Sequence, residues 1–278
     1  MNAVRVGTYR ALVHLLLGVV AGLSLLPLYW LATCAFKSQP QIFATPPQWI
    51  PSPWRLENFQ QLWRETTIVR AFFNSVVISV GFVTLSLFLC SLAGYAFAKF
   101  PAAPGNSRLY SLVLATMLIP GAVTLIPNFV VLAKLGLVNT YLSLIVPGAA
   151  GAFGIVWMRQ YIHSHIPDEM LSAARTDGCT EFEIYWRIVL PMCRPALAAL
   201  GIMQLIGSWN NLMGAFLMLR TARMQTLPVL IYLLQGENRT PFGMLMAGGM
   251  LATLPLIAAF VLLQKQFISG ITAGAVKE

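Results

Sequence analysis

IPDEMLSAARTDGCTEFEIYWRIVLPMCRP, residues 166–195, is a polar stretch inside an otherwise very apolar sequence. It holds five of the nine acidic residues of the chain, namely Asp168, Glu169, Asp177, Glu181 and Glu183. The uncharged runs on either side are long enough to cross a membrane. The stretch therefore predicts one polar loop between membrane-spanning segments.

The loop begins with the start and stop signals of a short helix. Pro167 suits a first helical position, and Asp168 and Glu169 then lie in the first turn, where carboxylates complement the positive end of the helix dipole. Gly178 is a natural left-handed stop. Helical spacing places four residues on one face: Met170, Ala173, Ala174 and Asp177.

A second short helix is predicted directly after this stop. Thr180 and Glu183 stand at capping-box spacing, which places Arg187 near the C-terminal end, and Pro191 limits how far the helix continues. Two interpretations stay open on these signals alone. The small-residue face of the first helix is a surface for the backbone of another protein, or the loop is an ordinary solvated connection with two amphipathic turns.

The loop resembles the EAA loop of the membrane subunits of binding-protein-dependent ABC importers. The pattern of that family is Glu-Ala-Ala, three residues, Gly, nine residues, Ile, one residue and Leu-Pro. Ser172 stands here in place of the usual Glu, and we hypothesise that Glu169, one turn earlier, supplies the charge. The matching residues are Ala173, Ala174, Gly178, Ile188, Leu190 and Pro191.

In that family the loop forms a coupling helix, which docks into a cleft on the ATP-hydrolysing subunit. The resemblance therefore implies that this loop couples the chain to a partner ATPase. The residues that it assigns to coupling, with the Glu169 hypothesis included, are Glu169, Ser172, Ala173, Ala174, Asp177, Gly178, Leu190 and Pro191.

Composition indicates a polytopic membrane protein, because the chain is 58% hydrophobic and only 10% charged. Six stretches lack Lys, Arg, Asp and Glu altogether, and each has 24 to 28 residues: 11–36, 71–98, 109–133, 135–158, 195–219 and 240–264. About 20 residues suffice to cross the hydrocarbon core. We therefore predict an all-α fold with six transmembrane helices, the third kinked at Pro120 and Pro127.

Charge alone orients this topology weakly, with ten Lys and Arg on the predicted cytoplasmic side and eight outside. The resemblance decides the orientation, since a coupling loop faces the compartment that holds ATP. The predicted segments are a cytoplasmic N-terminus at 1–10, a first span at 11–36, an external loop at 37–70, spans two to four at 71–158, a cytoplasmic coupling loop at 159–195, span five at 196–219, an external loop at 220–240, span six at 241–264 and a cytoplasmic tail at 265–278.

Several other classes of function are disfavoured. The net charge of +9 is scattered over the span boundaries and forms no patch, so no nucleic acid is expected as partner. His163 and His165 lack a third ligand, and no metal site is predicted. The four cysteines show neither CxxC spacing nor a disulfide framework: Cys34, Cys90, Cys179 and Cys193.

Polar residues inside the apolar runs are candidates for the transport path. Gln204, Trp209, Asn210 and Asn211 lie in the fifth run, and Asn128 follows Pro127 in the third. Amides match sugar hydroxyl groups, and an aromatic face stacks on a pyranose ring. Interhelical hydrogen bonding by the same amides is an equal alternative.

Two further segments resemble the maltose-type carbohydrate permeases, namely residues 56–59, LENF, and the tail at 266–277. The resemblance implies a subunit of an importer for a sugar or sugar-like solute in the inner membrane of a prokaryote. Implied partners are a homologous permease subunit, a dimer of ATPase subunits that bind ATP and Mg, and an external solute-binding protein.

The chain itself has no phosphate-binding P-loop, so we expect no cofactor and no catalytic residue in it. The alternative is a secondary transporter or channel for a small polar solute. His14, near one end of its run, is the one ionisable side chain in the six runs other than cysteine and tyrosine, which argues against ion coupling at mid-membrane.

Overall fold

The structure is a computed structural model that describes residues 2–236 and 240–275. Those residues form helices and connections, with no strand among them. The helices are α1 Asn2–Cys34, α2 Gln39–Ile42, α3 Glu57–Glu65, α4 Ile68–Lys99, α5 Asn106–Thr116, α6 Gly121–Lys134, α7 Leu142–Ile145, α8 Ala152–His165, α9 Asp168–Thr176, α10 Glu181–Ile184, a π-helical turn Tyr185–Val189, α11 Leu190–Met192, α12 Arg194–Trp209, α13 Leu212–Met218, α14 Leu227–Leu233 and α15 Phe242–Ala275.

Three continuous helical segments are long and apolar enough to cross a membrane: Leu12–Cys34, Ile68–Lys99 and Phe242–Leu262. Two bent pairs raise the number to five if each counts as one span. Asn106–Thr116 and Gly121–Lys134 meet at 105°, and Glu181–Met192 and Arg194–Trp209 at 77°. The described residues thus give three to five spans, and six stays a prediction.

Prolines and glycines account for the broken runs. Pro120 caps α6 in an extended conformation, at the break that the sequence predicts there, whereas Pro127 lies inside the helix. The apolar run 135–158 is also divided: α7 ends at Ile145 and α8 begins only at Ala152. Pro147 has no backbone N–H to donate, and Gly148 adopts φ +80°. A continuous helix through this run is therefore absent.

The chain forms two compact units, the first from residues 2–68, 230–236 and 240–254. Buried contacts lie just after α1 in this unit. There Lys37 is fully buried, with its ammonium 4.1 Å from the ring centre of Trp30. The Lys37 ammonium also donates to the carbonyl of Gln48. Asn58, from the LENF segment, donates to the carbonyls of Ala35 and Lys37 at 2.8 Å each. These bonds fold the connection from 37 to 65 against the end of α1.

The second unit comprises residues 69–229 and 255–275. Helices α4 and α8 approach closely because each has a glycine where it contacts the other, Gly94 on α4 and Gly154 on α8. A Cβ on Gly94 would lie 2.7 Å from the Cβ of Met158, and one on Gly154 would lie 2.6 Å from the Sγ of Cys90. The small residues of the second apolar run therefore serve helix packing, as small residues do in membrane proteins.

The tail segment at 266–277 lies partly outside the described residues, which end at Ala275. Arg239, the basic residue directly before the last apolar run, lies outside them as well.

Candidate functional site

Helix α9 has the ends that the sequence predicts, shifted by one residue at its start. Pro167 is the N-cap, with φ −65° and ψ 141°, so the first helical residue is Asp168. At the other end the amide N–H of Gly178 donates to the carbonyl of Arg175 at 3.0 Å, and Gly178 adopts φ +84°. The left-handed stop is confirmed, and it turns the chain sharply into the next helix.

The second helical stretch starts with the predicted capping box. The amide of Glu183 donates to the Thr180 hydroxyl at 3.3 Å, and the amide of Thr180 donates to the Glu183 carboxylate at 2.9 Å. Pro191 limits the helix as expected, since the helix ends at Met192, one residue further on. A π-helical turn precedes it, in which the amide of Leu190 donates to the carbonyl of Tyr185. The wider turn carries the helical backbone on to Met192.

One face of α9 is buried and the other is exposed, and the division falls between two adjacent alanines. Leu171 is 1% exposed and Ala174 is 7% exposed. Ala173 is exposed, as are Met170 and Asp177. The prediction that Ala174 shares the open face is therefore wrong, because its side chain packs into the core. That core includes Tyr95, Met158, Ile162, Ile166, Ile184, Tyr185 and Val189.

The remaining coupling candidates are divided between this open face and the core. Glu169, Ser172 and Gly178 are exposed. The Ser172 hydroxyl donates to the carbonyl of Asp168 at 3.0 Å, so the residue in place of the usual Glu bonds within its own helix. In the following helix, Leu190 packs against the core while Pro191 is exposed.

Lys99, the last residue of α4, holds the start of α9. Its side chain is 4% exposed, and its ammonium donates to the Asp168 carboxylate at 2.7 Å and to the Ile166 carbonyl at 2.6 Å. The hydrogen bond and the charge of Lys99 lower the pKa of Asp168. Asp168 is therefore ionised at neutral pH, and the ion pair joins the end of α4 to the first turn of α9.

A second tie reaches the far end of α9. The Tyr95 hydroxyl of α4 donates to the Glu181 carboxylate at 2.8 Å, and Arg175 donates to the same carboxylate at 2.6 Å. Hydrogen bonding to Glu181 is the main cause of a raised pKa for Arg175. Glu181 thus links α4, α9 and the helix that follows the Gly178 turn.

Neither tie was found from the sequence. Tyr95 lies inside the uncharged run 71–98, and Lys99 directly follows it. Their partners lie 69 and 86 residues further along the chain. The sequence offers only a weak signal for the ion pair: a basic residue follows an apolar run, and five acidic residues lie in the polar loop at 166–195.

The five transport-path candidates do not line one common cavity. Trp209 is 4% exposed and lies edge-on to Phe72, with 6.0 Å between ring centres. It lines a cavity of about 150 Å³, whose other walls are Val76, Ser79, Val80, Leu205, Pro255 and Leu256. The buried Ser79 hydroxyl has no hydrogen-bond partner among the described residues. Of the five candidates, Trp209 alone lines this cavity.

The other four candidates have different surroundings. The Asn211 side chain accepts from the amide of Gly214 at 3.0 Å and so caps α13, which is a structural role. Asn210 is exposed where α12 ends, and Gln204 is half-buried. Asn128 is exposed on α6, a different helix. The five residues do not form one cluster.

The fold and the loop define a class of protein before any comparison. The described residues form apolar helices of membrane-spanning length and a short helix, α9, which is fixed by buried and ionic contacts and has one open face. These features define a helical, multi-pass membrane protein with an exposed polar loop.

The comparisons with known proteins give the family. Residues 91–272 match the model described as binding-protein-dependent transport system inner membrane component. This covers more than half of the chain, and the chain belongs to that family of ABC transporter permeases.

Its relatives are similar over nearly their full length. The chain is 35% identical to the arabinooligosaccharides transport system permease protein AraQ of Halalkalibacterium halodurans, with 93% of each chain covered. It is 31% identical to the melibiose/raffinose/stachyose import permease protein MelC of Bacillus subtilis, with both chains fully covered. The lactose transport system permease protein LacG of Rhizobium radiobacter is 30% identical over 94% of each chain.

A solved structure agrees on the fold. A chain of a bacterial ABC transporter involved in the import of the acidic polysaccharide alginate matches with a TM-score of 0.81 and 23% identity, covering 93% of this chain and 96% of that one.

Proposed function

We propose that this permease is one half of the translocation pathway of an ATP-driven importer for a sugar or sugar-like solute. A homologous permease subunit forms the other half, a dimer of ATPase subunits supplies ATP hydrolysis with Mg, and an external solute-binding protein delivers the solute. The relatives support the solute class, since AraQ, MelC and LacG are all named for sugars.

The observation that carries the coupling proposal is that one face of α9 is buried and the other is exposed. Leu171 and Ala174 anchor the helix in the core, so the small side chains of Ser172 and Ala173 lie on the open face. Another protein's backbone approaches such a face closely. We therefore assign ATPase coupling to the open face of α9, with Glu169 as its negative charge and Gly178 as the turn that sets its angle.

The proposed orientation follows from this assignment. A loop that binds an ATPase faces the cytoplasm, which places residues 159–195 and both termini on that side and the connections 37–70 and 220–240 outside. The exposed indoles of Trp49, Trp54 and Trp63, in the first of these connections, suit a membrane interface or a solute-binding protein.

For the solute path we propose the surroundings of Trp209. A buried aromatic ring beside the unpartnered hydroxyl of Ser79 fits an apolar sugar face and one of its hydroxyl groups. Asn210, exposed where α12 ends, adds an amide nearby in the chain.

Affinity purification from the native membrane in mild detergent tests the coupling proposal. Wild type and Gly178→Asp are compared for co-purifying chains and for ATP hydrolysis. We expect the wild type to bring down an ATPase subunit and to hydrolyse ATP, and the variant to lose both. Recovery of the chain alone and inactive from both, under conditions that keep known importers intact, would favour a secondary transporter or channel.

A further inference from the structure

Helix α4 is fastened at both ends to segments that lie far from it in the sequence, and all of them belong to the second unit. At its C-terminal end Lys99 holds Asp168, and Tyr95 holds Glu181. Both partners lie in the loop to which we assign ATPase coupling. The Lys99–Asp168 pair joins α4 to α9 directly, and the Tyr95–Glu181 bond joins α4 to α10, where Arg175 of α9 binds the same carboxylate.

The N-terminal end of α4 is fastened to the connection between α13 and α14. Asn74 is fully buried, and its amide donates to the carbonyls of Arg223 at 3.0 Å and Gln225 at 2.8 Å. The Tyr141 hydroxyl donates to the Asn74 side-chain oxygen at 2.7 Å, so both polar atoms of the amide have partners.

Ser75 adds a bond next to this one. It is 2% exposed, and its hydroxyl accepts from the amide of Leu227 at 2.8 Å. Arg70 donates to the carbonyl of Arg223 at 2.9 Å. Backbone groups of three alternate residues, Arg223, Gln225 and Leu227, are therefore bonded to one helix end.

Between its two ends, α4 is an unbroken helix of 32 residues. Its sequence contains no proline, whereas α1 contains Pro27 and α15 contains Pro255. Sharp kinks almost always need proline, glycine pairs or an inserted group. From Asn74 to Lys99 the helix spans about 37 Å at the α-helical rise per residue. A helix of this kind moves as one body.

We propose that α4 is a strut that carries the movement of α9 to residues 223–227, with Lys99 and Tyr95 as positioning residues at one end and Asn74 and Ser75 at the other. This rests on the proposed function, since the movement originates in the ATPase subunits. When their nucleotide state changes, α9 shifts, and the connection at 223–227 shifts with it, on the side where the solute-binding protein delivers the solute.

A labelling experiment on the purified complex tests the strut without knowledge of the solute. Ala222 is exposed next to the bonded connection, and Ala222→Cys is labelled with a charged maleimide in the absence and in the presence of Mg-ATP and vanadate. Mass spectrometry of the peptide separates this thiol from the native ones. We expect the trapped nucleotide to change the labelling rate by at least about threefold, the size of change that residues along a coupling network produce.

Two variants in the Ala222→Cys background remove one tie each. Lys99→Met removes the ammonium at the α9 end, and Asn74→Leu removes the amide at the other end. Asn74→Leu, at the end away from α9, should retain the ATPase subunit and its hydrolysis while the response of the labelling rate disappears. For Lys99→Met the response is measured in the fraction that holds the ATPase subunit, and it should disappear there too. Lys99→Asp combined with Asp168→Lys restores the ion pair and should restore the response. Phe73→Leu, an exposed change on the same helix, is the control and should leave the response intact.

The outcomes separate the two proposals. A wild-type preparation without an ATPase subunit overturns the proposed function and this inference with it. A complex that holds the ATPase subunit, but whose Lys99→Met or Asn74→Leu variant responds like the wild type, overturns the strut alone. So does a wild-type complex in which nucleotide leaves the labelling rate unchanged.

Discussion

The loop at 166–195 and the amide-rich stretch at 204–211 both place polar residues beside apolar helices. In the loop these residues act together on one helix, whereas in the amide-rich stretch each has a different environment. In the loop, caps, turn and ion pairs all act on one short helix, so that one face is fixed and the other is open. In the amide-rich stretch, Trp209 is buried, Asn210 is exposed and Asn211 caps a helix. Polar residues of the loop stabilise the same local element, whereas those of the amide-rich stretch are near in sequence but have separate surroundings.

The largest expected effect is a difference between substitutions at the two adjacent alanines of the loop, exposed Ala173 and buried Ala174. Ala173→Arg places a long cation on the open face of α9 and should weaken binding of the ATPase subunit roughly 100-fold, as the loss of a hot spot does. Ala174→Arg buries an unpaired charge instead, at a cost of about 3–5 kcal/mol in the free energy of unfolding. Size-exclusion chromatography of detergent extracts measures the folded yield, and co-purification measures binding.

The contrast fails if the two variants behave alike. If Ala173→Arg lowers the folded yield as much as Ala174→Arg does, the face that we call open is covered in the folded protein. Loss of partner binding by a fully folded Ala174→Arg would show that the buried face contacts the partner.

The turn after α9 gives the next effect. Gly178 and Gly136 both have positive φ, at +84° and +70°, and a Cβ at either position meets no atom within 4 Å. Alanine at either position therefore costs about 1–2 kcal/mol of backbone strain without a clash. If rotation of α9 relieves ~1 kcal/mol of this strain in Gly178→Ala, the ATPase subunit must reverse that rotation when it binds. Its affinity then falls about fivefold.

Gly136→Ala is the matched control, because it carries the same strain away from the loop. Its melting temperature Tm should fall as that of Gly178→Ala does, with partner affinity unchanged. An equal loss of affinity in both variants would mean that general destabilisation, and not the angle of α9, governs binding.

The amide-rich stretch predicts a smaller effect that separates stability from transport. Asn211→Ala removes the N-cap of α13 and should cost about 1 kcal/mol, which Asn211→Ser largely avoids. Asn210→Ala, at an exposed position, should change stability by less than about 0.5 kcal/mol. Uptake of the sugar that co-purifies with the solute-binding protein should fall in Asn210→Ala. Stable Asn211→Ala protein would contradict the capping role.

The smallest effect concerns the charge of Glu169. Glu169→Gln removes one exposed carboxylate from the rim of the proposed interface and should weaken binding of the ATPase subunit about two- to fivefold at low ionic strength. The difference should fade as salt rises, because exposed charges are screened. Glu65→Gln, an equal charge change on α3, is the control. Unchanged affinity in Glu169→Gln would contradict the idea that Glu169 replaces the carboxylate missing at Ser172.

Local features of the loop could be predicted because they depend on neighbours within one turn. The Thr180–Glu183 capping box and the Gly178 stop are examples, and both are confirmed. The burial of Ala174 could not be predicted. Neighbouring helical positions lie about 100° apart, so an apolar stripe read from spacing has an uncertain edge. The core that decides the edge comes from α4, α8 and the π-helical turn.

Long-range features were beyond the sequence for a related reason. Nothing near Lys99 in the chain marks Asp168 as its partner, and nothing near Asn74 marks residues 223–227. The apolar run at 135–158 has the composition of a span, but Pro147 and Gly148 divide it. Composition gives the total apolar length, while the backbone conformation at a few residues decides how that length is divided into helices.

The central claim is that the open face of α9 contacts an ATPase subunit, and site-specific photocrosslinking tests it most directly. A benzophenone amino acid is introduced in the native membrane at Ala173, and at Val123 on α6 as a control that is also exposed. The account predicts a crosslink from Ala173 to an ATPase subunit and none from Val123. A crosslink from Ala173 to lipid or to no protein, with the complex otherwise intact, would contradict it.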